Sequence, residues 1–518
     1  MSQTKTAGTA IDAIHRFWYA KSKFDKEAEK TRITGVGIDY MIFVDYLYYL
    51  GIRADKLNDL QIFYRIKNNK ILEEMEHSEI ASIIYRKIEN LDETLPAFNL
   101  YGESITGQEI PSRWIKEKIL AGISFYFNKS KLLACLYNKE KIQINQDTAS
   151  EKFIYFKNGY LYATAKKIEF LPYSKLNRYI WSSEIIDHVY THNKNFDFVC
   201  NAQKFIFNIA GKDQTRYNQL LIIAGYLGHS YTGGKLKAVL LTDSTLSNTG
   251  EPNGRSGKTL ISRLIGGLYT KNPTKRGNKV YVEINGKSFD HTSQFRYQAA
   301  SHNTKYLVIN DTKPGFKIDP MFNDITDGTE VERKGADPFY IQAKMAILAN
   351  LSIDINGDSR ADRICMFELS NYYSSNFGPD QEFQQFFFTD WSNSEYNNYY
   401  HYMAMVVQKW IIAGKLPQVK SINYDSRFLA EHTNEQFIDF IEEHIQPDIW
   451  YGKSEILEKV QNLNNLGKLS SKKFASWLKN YNNLSGKFEQ WNPAKNEQRP
   501  AGGNREFKFI VKSKVAID

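Results

Sequence analysis

The chain has 518 residues, enough for two to four domains, and its 42% hydrophobic and 24% charged residues are ordinary for a globular protein. Its net charge of +9 permits a polyanionic partner without requiring one, and its 14% aromatic residues suit either aromatic cores or base stacking. Three widely spaced cysteines support neither a disulfide framework nor a zinc ribbon, and no apolar run is long enough to span a membrane.

The first 150 residues predict a mixture of helices and strands. Residues 1–12 are small and polar, which indicates a disordered tail. Residues 40–50 have the apolar spacing of a helix that ends at Gly51, and residues 62–66 alternate as a short strand. We therefore predict an α+β accessory domain over 13–150.

The next segment, 151–235, predicts a hairpin followed by helical structure. Two aromatic strands flank Asn158-Gly159, a dipeptide typical of tight hairpin turns. Residues 203–227 have the pattern of a helix. This segment is interpreted as a collar that precedes the central domain.

Residues 236–415 alternate strand and helix. This alternation predicts a three-layer α/β core with parallel strands. The predicted elements are strands at 238–242, 305–309 and 343–349 and helices at 260–268 and 390–415.

A phosphate-binding loop is predicted between the first of these strands and its helix. Pro252-Asn-Gly-Arg-Ser-Gly-Lys-Thr259 follows the P-loop pattern except that proline replaces the first glycine. Such a loop cradles the phosphates of ATP with backbone N–H groups, its lysine reaches the β- and γ-phosphates, and its Thr hydroxyl binds Mg²⁺. The predicted ligands are Gly254, Arg255, Ser256, Gly257, Lys258 and Thr259.

Three residues after later strands complete the predicted catalytic set. Asp311 follows the apolar strand at 305–309 and is the expected Mg²⁺ ligand, although Asn310 stands where many P-loop ATPases have a second acid. Asn350 ends the next strand and is expected to sense the γ-phosphate. Arg363, with Arg360 as second choice, is expected to stabilise charge at a neighbouring subunit's γ-phosphate; a surface salt bridge is the alternative.

The tail, 425–518, predicts three helices and a terminal strand. This order is typical of a winged helix, in which the third helix enters a DNA groove and the wing contacts the backbone. The basic residues expected to face phosphate are Lys472, Lys473, Lys479 and Arg505. Winged helices also serve as protein adaptors, so DNA contact is one of two interpretations.

The order of these parts resembles a superfamily 3 helicase, a branch of the AAA+ ATPases. More closely, it resembles the helicase domain of the deep-sea vent phage primase-polymerase type, found in phages and bacterial mobile elements. The resemblance covers roughly 150–415 and rests on Phe205–Asp213, Ile223–His229, the loop at 250–259, Asp311, Asp327–Gly335, Ala349-Asn350, Ser370–Tyr373 and Phe387–Trp391.

This resemblance implies a ring, most simply a homo-hexamer, that hydrolyses ATP between subunits during phage or mobile-element replication in the cytoplasm of a bacterial host. A hairpin with Lys334 at its tip, supported by Arg333, would contact single-stranded DNA in the pore, while the winged helix would contact duplex DNA. The acids Asp39 and Asp45 lack a fitting histidine, so primase activity is expected to be absent from this chain, which leaves room for a separate primase or polymerase as a partner.

Two other functions stay open at this point. Asn310 and Pro252 slightly favour a DNA-binding initiator or loader that nucleotide switches with little turnover. An anti-phage defence ATPase is a third, weaker possibility.

Overall fold

The computed structural model describes residues 16–27, 29–57, 60–67, 70–138, 142–192, 200–244, 255–275, 277–355, 358–446, 449–463, 466, 468–485, 488–490 and 508–511. The predicted tail at 1–12 lies outside these residues. Across the described part of the chain, none of the helices has both the length and the apolar character needed to cross a membrane.

The N-terminal region combines small sheets with helices, and most of these elements pack around an aromatic core. Asp39 accepts hydrogen bonds from the first N–H groups of the predicted helix, and Gly51, with φ of 80°, follows that helix. The helix and strand predicted here are therefore confirmed. The elements are β1 (Trp18–Asp25), β2 (Lys30–Ile38), α1 (Tyr40–Tyr49), β3 (Ile52–Leu57), β4 (Leu60–Lys67), β5 (Ile71–Met75), α2 (His77–Glu89), β6 (Thr94–Phe98), β7 (Ser104–Pro111), α3 (Ser112–Ala121), α4 (Ile123–Tyr126) and α5 (Lys129–Leu136).

The segment after residue 150 contains the predicted hairpin, but its two-residue turn is Lys157-Asn158, one position before the predicted Asn158-Gly159, because Gly159 already pairs with Phe156. The single helix predicted over 203–227 is wrong. Gly211 and Lys212 adopt positive φ angles of 81° and 56°, and Asp213 then caps a second helix by accepting the N–H of Arg216. The elements are β8 (Glu151–Phe156), β9 (Gly159–Thr164), β10 (Ile168–Leu171), β11 (Ile180–Trp181), β12 (Ile185–Ile186), α6 (Asn201–Ile209) and α7 (Gln214–Gly228).

The central region is built on a five-stranded, wholly parallel sheet, which confirms the α/β class. In sequence order its elements are β13 (Ala238–Asp243), α8 (Lys258–Gly266), β14 (Tyr281–Asn285), β15 (Tyr306–Asn310), α9 (Phe322–Thr326), β16 (Thr329–Arg333), β17 (Ala336–Ile341), β18 (Lys344–Leu348), α10 (Asp358–Ala361), β19 (Ile364–Leu369), α11 (Pro379–Phe383) and α12 (Asn393–Ala413). Across the sheet the strand order is β14-β15-β18-β13-β19.

Both faces of this sheet are buried. Val239 and Leu241 of β13 belong to a core shared with α7, α8 and α12, whereas Leu240 belongs to a second core on the other face. The alternation follows from the two-residue period of a strand. A continuous apolar strand covered on both sides is what a parallel sheet requires.

The C-terminal region contains helices and a small antiparallel sheet. Phe474, Trp477 and Leu478 are buried in its core, as predicted. The elements are α13 (Tyr424–His432), α14 (Glu435–His444), β20 (Trp450–Gly452), α15 (Lys453–Gln461), α16 (Ser471–Ser485), β21 (Phe488–Gln490) and β22 (Lys508–Val511), with sheet order β20-β22-β21.

Candidate functional site

The carboxyl ends of the parallel strands meet along one edge of a cleft of about 760 Å³. Lys258, Asp311 and Asn350 all line this cleft, although they are far apart in sequence. Of the predicted loop residues, Arg255, Ser256, Gly257, Lys258 and Thr259 line it as well. Gly254, like Gly250 and Pro252, lies outside the described residues.

Gly257 turns the chain into the helix that follows the loop. Its φ of 99° belongs to the left-handed region, and it forms the N-cap of α8. A Cβ at this position would lie 2.8 Å from the ring of Phe205. Glycine thus allows the loop to pack against α6 while the first N–H groups of α8 remain unpaired within the helix, an arrangement suited to an anion.

Lys258 is buried in an ion pair that the sequence did not reveal. Its Nζ donates to the carboxylate of Asp243 at the end of β13, and the Ser256 hydroxyl donates to the same carboxylate. The two charged side chains are 8% and 5% exposed. Burial lowers the pKa of Lys258, and the neighbouring Asp243 opposes that shift. The only sequence signal for Asp243 was its place at the end of an apolar strand.

Asp311 follows β15 in a left-handed conformation, with φ of 60°. Its carboxylate accepts a hydrogen bond from Asn350 Nδ2 at 2.7 Å and lies 2.7 Å from Lys287 Nζ. Its charge also acts to raise the pKa of Lys258, since the two groups face the same cleft. Asp311 and Asn350 are therefore in direct contact, although neither the contact nor Lys287 was foreseen.

Thr259 and Asn310 form the second polar contact across the cleft. The Thr259 hydroxyl donates to Asn310 Oδ1 at 3.2 Å, and Asn310 Nδ2 donates to Glu283 Oε1 at 2.7 Å. Glu283 lies on β14, a strand that the sequence analysis did not identify. Asn310, the last residue of β15, is thus hydrogen-bonded to an acid on the neighbouring strand.

Arg427 brings a further cation from the C-terminal region. Its side chain is 4% exposed, and Nη2 donates to Thr242 Oγ1 at 3.2 Å and to the Asn350 carbonyl at 3.4 Å. Nη1 is buried without a hydrogen-bond partner among the described residues. Its charge contributes to lowering the pKa of Lys258. Nη2 also lies 3.7 Å from the Glu431 carboxylate, which leaves Nη1 as the unpaired donor. A buried guanidinium with an unpaired donor beside a lysine favours an anionic ligand.

The oxygen atoms of the cleft fit Mg²⁺ chelated by a nucleotide. No group of three or more His, Cys, Asp or Glu side chains suited to a metal occurs in the described residues. Mg²⁺ prefers oxygen ligands and is commonly held by one or two carboxylates together with substrate phosphates. Thr259 and Asp311, the predicted ligands, supply a hydroxyl and a carboxylate at this edge.

Arg363 lies at the amino ends of the parallel strands, opposite the carboxyl ends that border the cleft. Its carbonyl accepts from the N–H of Ala238, the first residue of β13, whereas Asp243 is the last. The 6 residues of β13 separate these ends by roughly 16 Å at about 3.3 Å per residue. Arg363 Nη1 donates to the Ser359 carbonyl, and Arg360 pairs with Asp319 and Asp354. Neither arginine thus faces the cleft of its own chain.

The predicted DNA-contacting residues lie elsewhere. Lys334 and Gly335 form the exposed tip between β16 and β17, while the Arg333 guanidinium is half-buried and donates to the Ala300 carbonyl. Lys472 and Lys473 are exposed in the first turn of α16. Arg505 lies outside the described residues.

Comparisons with known proteins gave structural matches alone. No protein-family model matches the chain, and no curated protein matches it significantly. Two solved apo structures of the C-terminal region of NrS-1 each show 12% sequence identity and a TM-score of 0.39. They cover 92% and 91% of this chain and 99% of their own chains. At this TM-score the likeness is too distant to support a function, which has to rest on the cleft.

Proposed function

We propose that this chain is a P-loop NTPase of the AAA+ type that works as an ATP-dependent DNA helicase in the replication of a phage or mobile element. One observation carries the proposal: Lys258, Thr259, Asp311 and Asn350 surround a single cleft at the carboxyl edge of a parallel sheet. Ligand sites in open parallel sheets form at this edge.

In this proposal the loop and the start of α8 bind the triphosphate of ATP. Lys258 supplies the charge that faces the β- and γ-phosphates, and Arg427, whose Nη2 donates to the Asn350 carbonyl, adds a second cation beside the cleft. Thr259 and Asp311 would hold Mg²⁺, which supplies neutralisation of phosphate charge when it is bound. Asn350, which donates a hydrogen bond to Asp311, would orient the attacking water.

The DNA-contacting role belongs to parts away from the cleft. Ring assembly would place Arg363 against the cleft of the next subunit, since it cannot reach the cleft of its own chain. The exposed Lys334 tip would then contact the phosphates of one DNA strand, and the C-terminal region would act as a winged helix with Lys472 and Lys473 facing duplex DNA.

ATP hydrolysis with and without single-stranded DNA, together with strand displacement, tests this function. Lys258→Ala should weaken ATP binding by about 10- to 150-fold, the loss expected for a charge-assisted contact of about 1.5–3 kcal/mol, and should abolish unwinding. Lys166→Ala, at an exposed turn, is the matched control and should behave as the wild type. An unmodified protein that neither binds nor hydrolyses ATP would contradict the proposal.

A second function, the nucleotide-switched initiator or loader, is favoured by one observation. The position beside Asp311 holds the neutral Asn310 where a second acid would help to polarise water. ATP-dependent DNA binding without turnover or strand displacement would support this function over the helicase.

A further inference from the structure

The amide of Asn310 has a fixed orientation in the cleft. The Glu283 carboxylate can only accept hydrogen bonds, so Asn310 must turn Nδ2 toward it, at 2.7 Å. The Oδ1 atom then faces Thr259, whose hydroxyl donates to it at 3.2 Å. The ambiguity that usually attends an amide's two ends is therefore removed by the chemistry of its neighbours.

Glu283 is itself held in place by contacts on its other side. Arg263 of α8 approaches it with Nε and Nη2, each at 3.2 Å, and the Tyr281 hydroxyl donates to Oε2 at 3.1 Å. Arg263 lies on the helix that begins at Lys258. The acid on β14 thus connects the phosphate-binding helix to the end of β15.

We propose that Glu283 is a positioning residue that holds the Asn310 amide oxygen toward Thr259 and the Mg²⁺–nucleotide. In this way the amide oxygen takes the place of the second acid that other P-loop sites carry at the position of Asn310. This inference rests on the proposed function and deepens it. An aspartate at position 310 would set two carboxylates against each other at the distance of a hydrogen bond, which is repulsive. The geometry therefore requires an amide at position 310 as long as Glu283 is present.

The test is equilibrium binding of ATP, measured by calorimetry across a Mg²⁺ titration and in EDTA. Glu283→Gln should raise the Mg²⁺ concentration needed for half-maximal ATP binding by about tenfold, since the amide at 310 is then free to turn its oxygen away. Binding in EDTA should not change. Arg263→Gln leaves the acceptor in place and should have a smaller effect.

A rescue distinguishes positioning from a general structural role. Asn310→Asp alone should also weaken Mg²⁺-dependent binding, whereas the double variant Glu283→Gln with Asn310→Asp should recover most of it, because the glutamine amide can donate to the new carboxylate. If Glu283→Gln does not fold, as judged by thermal unfolding, Asn310→Asp alone tests the same contact, because it leaves Glu283 in place.

The outcomes separate this inference from the function on which it rests. Wild-type protein that binds ATP with Mg²⁺, together with an Asn310→Asp variant that matches or exceeds it, would overturn the role of Glu283 alone. A double variant no better than Asn310→Asp would do the same. Wild-type protein that does not bind ATP would remove both proposals.

Discussion

Two buried lysine–carboxylate ion pairs lie near opposite ends of the strands of the central sheet. They differ in the other groups that bind each carboxylate. Asp147 pairs with Lys152 at 2.9 Å and also accepts hydrogen bonds from the N–H of Phe153 and from the N–H and hydroxyl of Ser230. Asp243 pairs with Lys258, and its other oxygen accepts from Ser256. The first carboxylate is satisfied by groups with no place in the proposed site, whereas the second holds groups that a phosphate would also bind.

The comparison shows that one buried ion pair can stabilise the fold, whereas in another the carboxylate can compete with the proposed ligand for the lysine. Burial alone would raise the pKa of Asp147, but Lys152, His229, the Phe153 N–H and Ser230 together lower it to about 2. Its carboxylate therefore stays ionised and paired. Asp243 instead pairs with the Lys258 ammonium group that would face the triphosphate in the proposed function, so ATP would have to displace Asp243.

The largest effect is expected from removing the pair that serves stability. Asp147→Ala leaves Lys152 buried without its counter-charge, which should lower the free energy of unfolding by about 3–5 kcal/mol. Asp187→Ala, which breaks an exposed pair with Lys157, is the control and should cost at most about 1 kcal/mol. Chemical denaturation measures both, and equal effects would break the comparison.

A smaller effect on stability, with a gain in binding, is expected at the cleft. Asp243→Asn keeps the shape of the side chain but removes its competing charge. The free energy of unfolding should fall by about 1–3 kcal/mol, while ATP should bind more tightly. ATP should then raise the melting temperature of this variant more than that of the wild type. Asp147→Asn is the matched control and should leave ATP affinity unchanged; the opposite pattern would mean that Asp243 does not compete with the ligand.

The smallest effect concerns a third buried lysine near the first pair. Burial lowers the pKa of Lys344 to about 7, with Asp147 opposing and Lys152 reinforcing the shift. The folded chain then binds fewer protons than the unfolded chain between pH 7 and the ordinary lysine pKa, so this residue makes stability rise with pH in that window.

Lys344→Met should remove this rise. The stability of the variant relative to the wild type should fall by up to about 1.4 kcal/mol per pH unit between pH 7.5 and 9. Denaturation midpoints at several pH values measure it. Parallel curves for the two proteins would show that Lys344 keeps its proton through this range.

Local sequence patterns were enough to identify the strand, loop and helix that form the centre of the site. The apolar run at 238–242, the Gly-Lys-Thr sequence and the helix after it predicted a strand, a loop and a helix, because each signal lies within about 20 residues. The same holds for Asp311 and Asn350, which follow short apolar strands. The strand β14 was missed because Glu283 interrupts its apolar run, and the break at Gly211 was missed because apolar spacing continues on both sides of it.

The sequence by itself thus determined the α/β class, the order of the loop and its downstream acid, and the residues expected to face phosphate. Only the tertiary structure decided which partners those residues have. Four residues from separate strands, loops and helices contact the residues that line the cleft: Asp243 contacts Lys258, Glu283 contacts Asn310, Lys287 contacts Asp311, and Arg427 contacts Asn350. Their contacts depend on how the strands are ordered in the sheet and how the C-terminal region packs on it, and no local pattern encodes that arrangement.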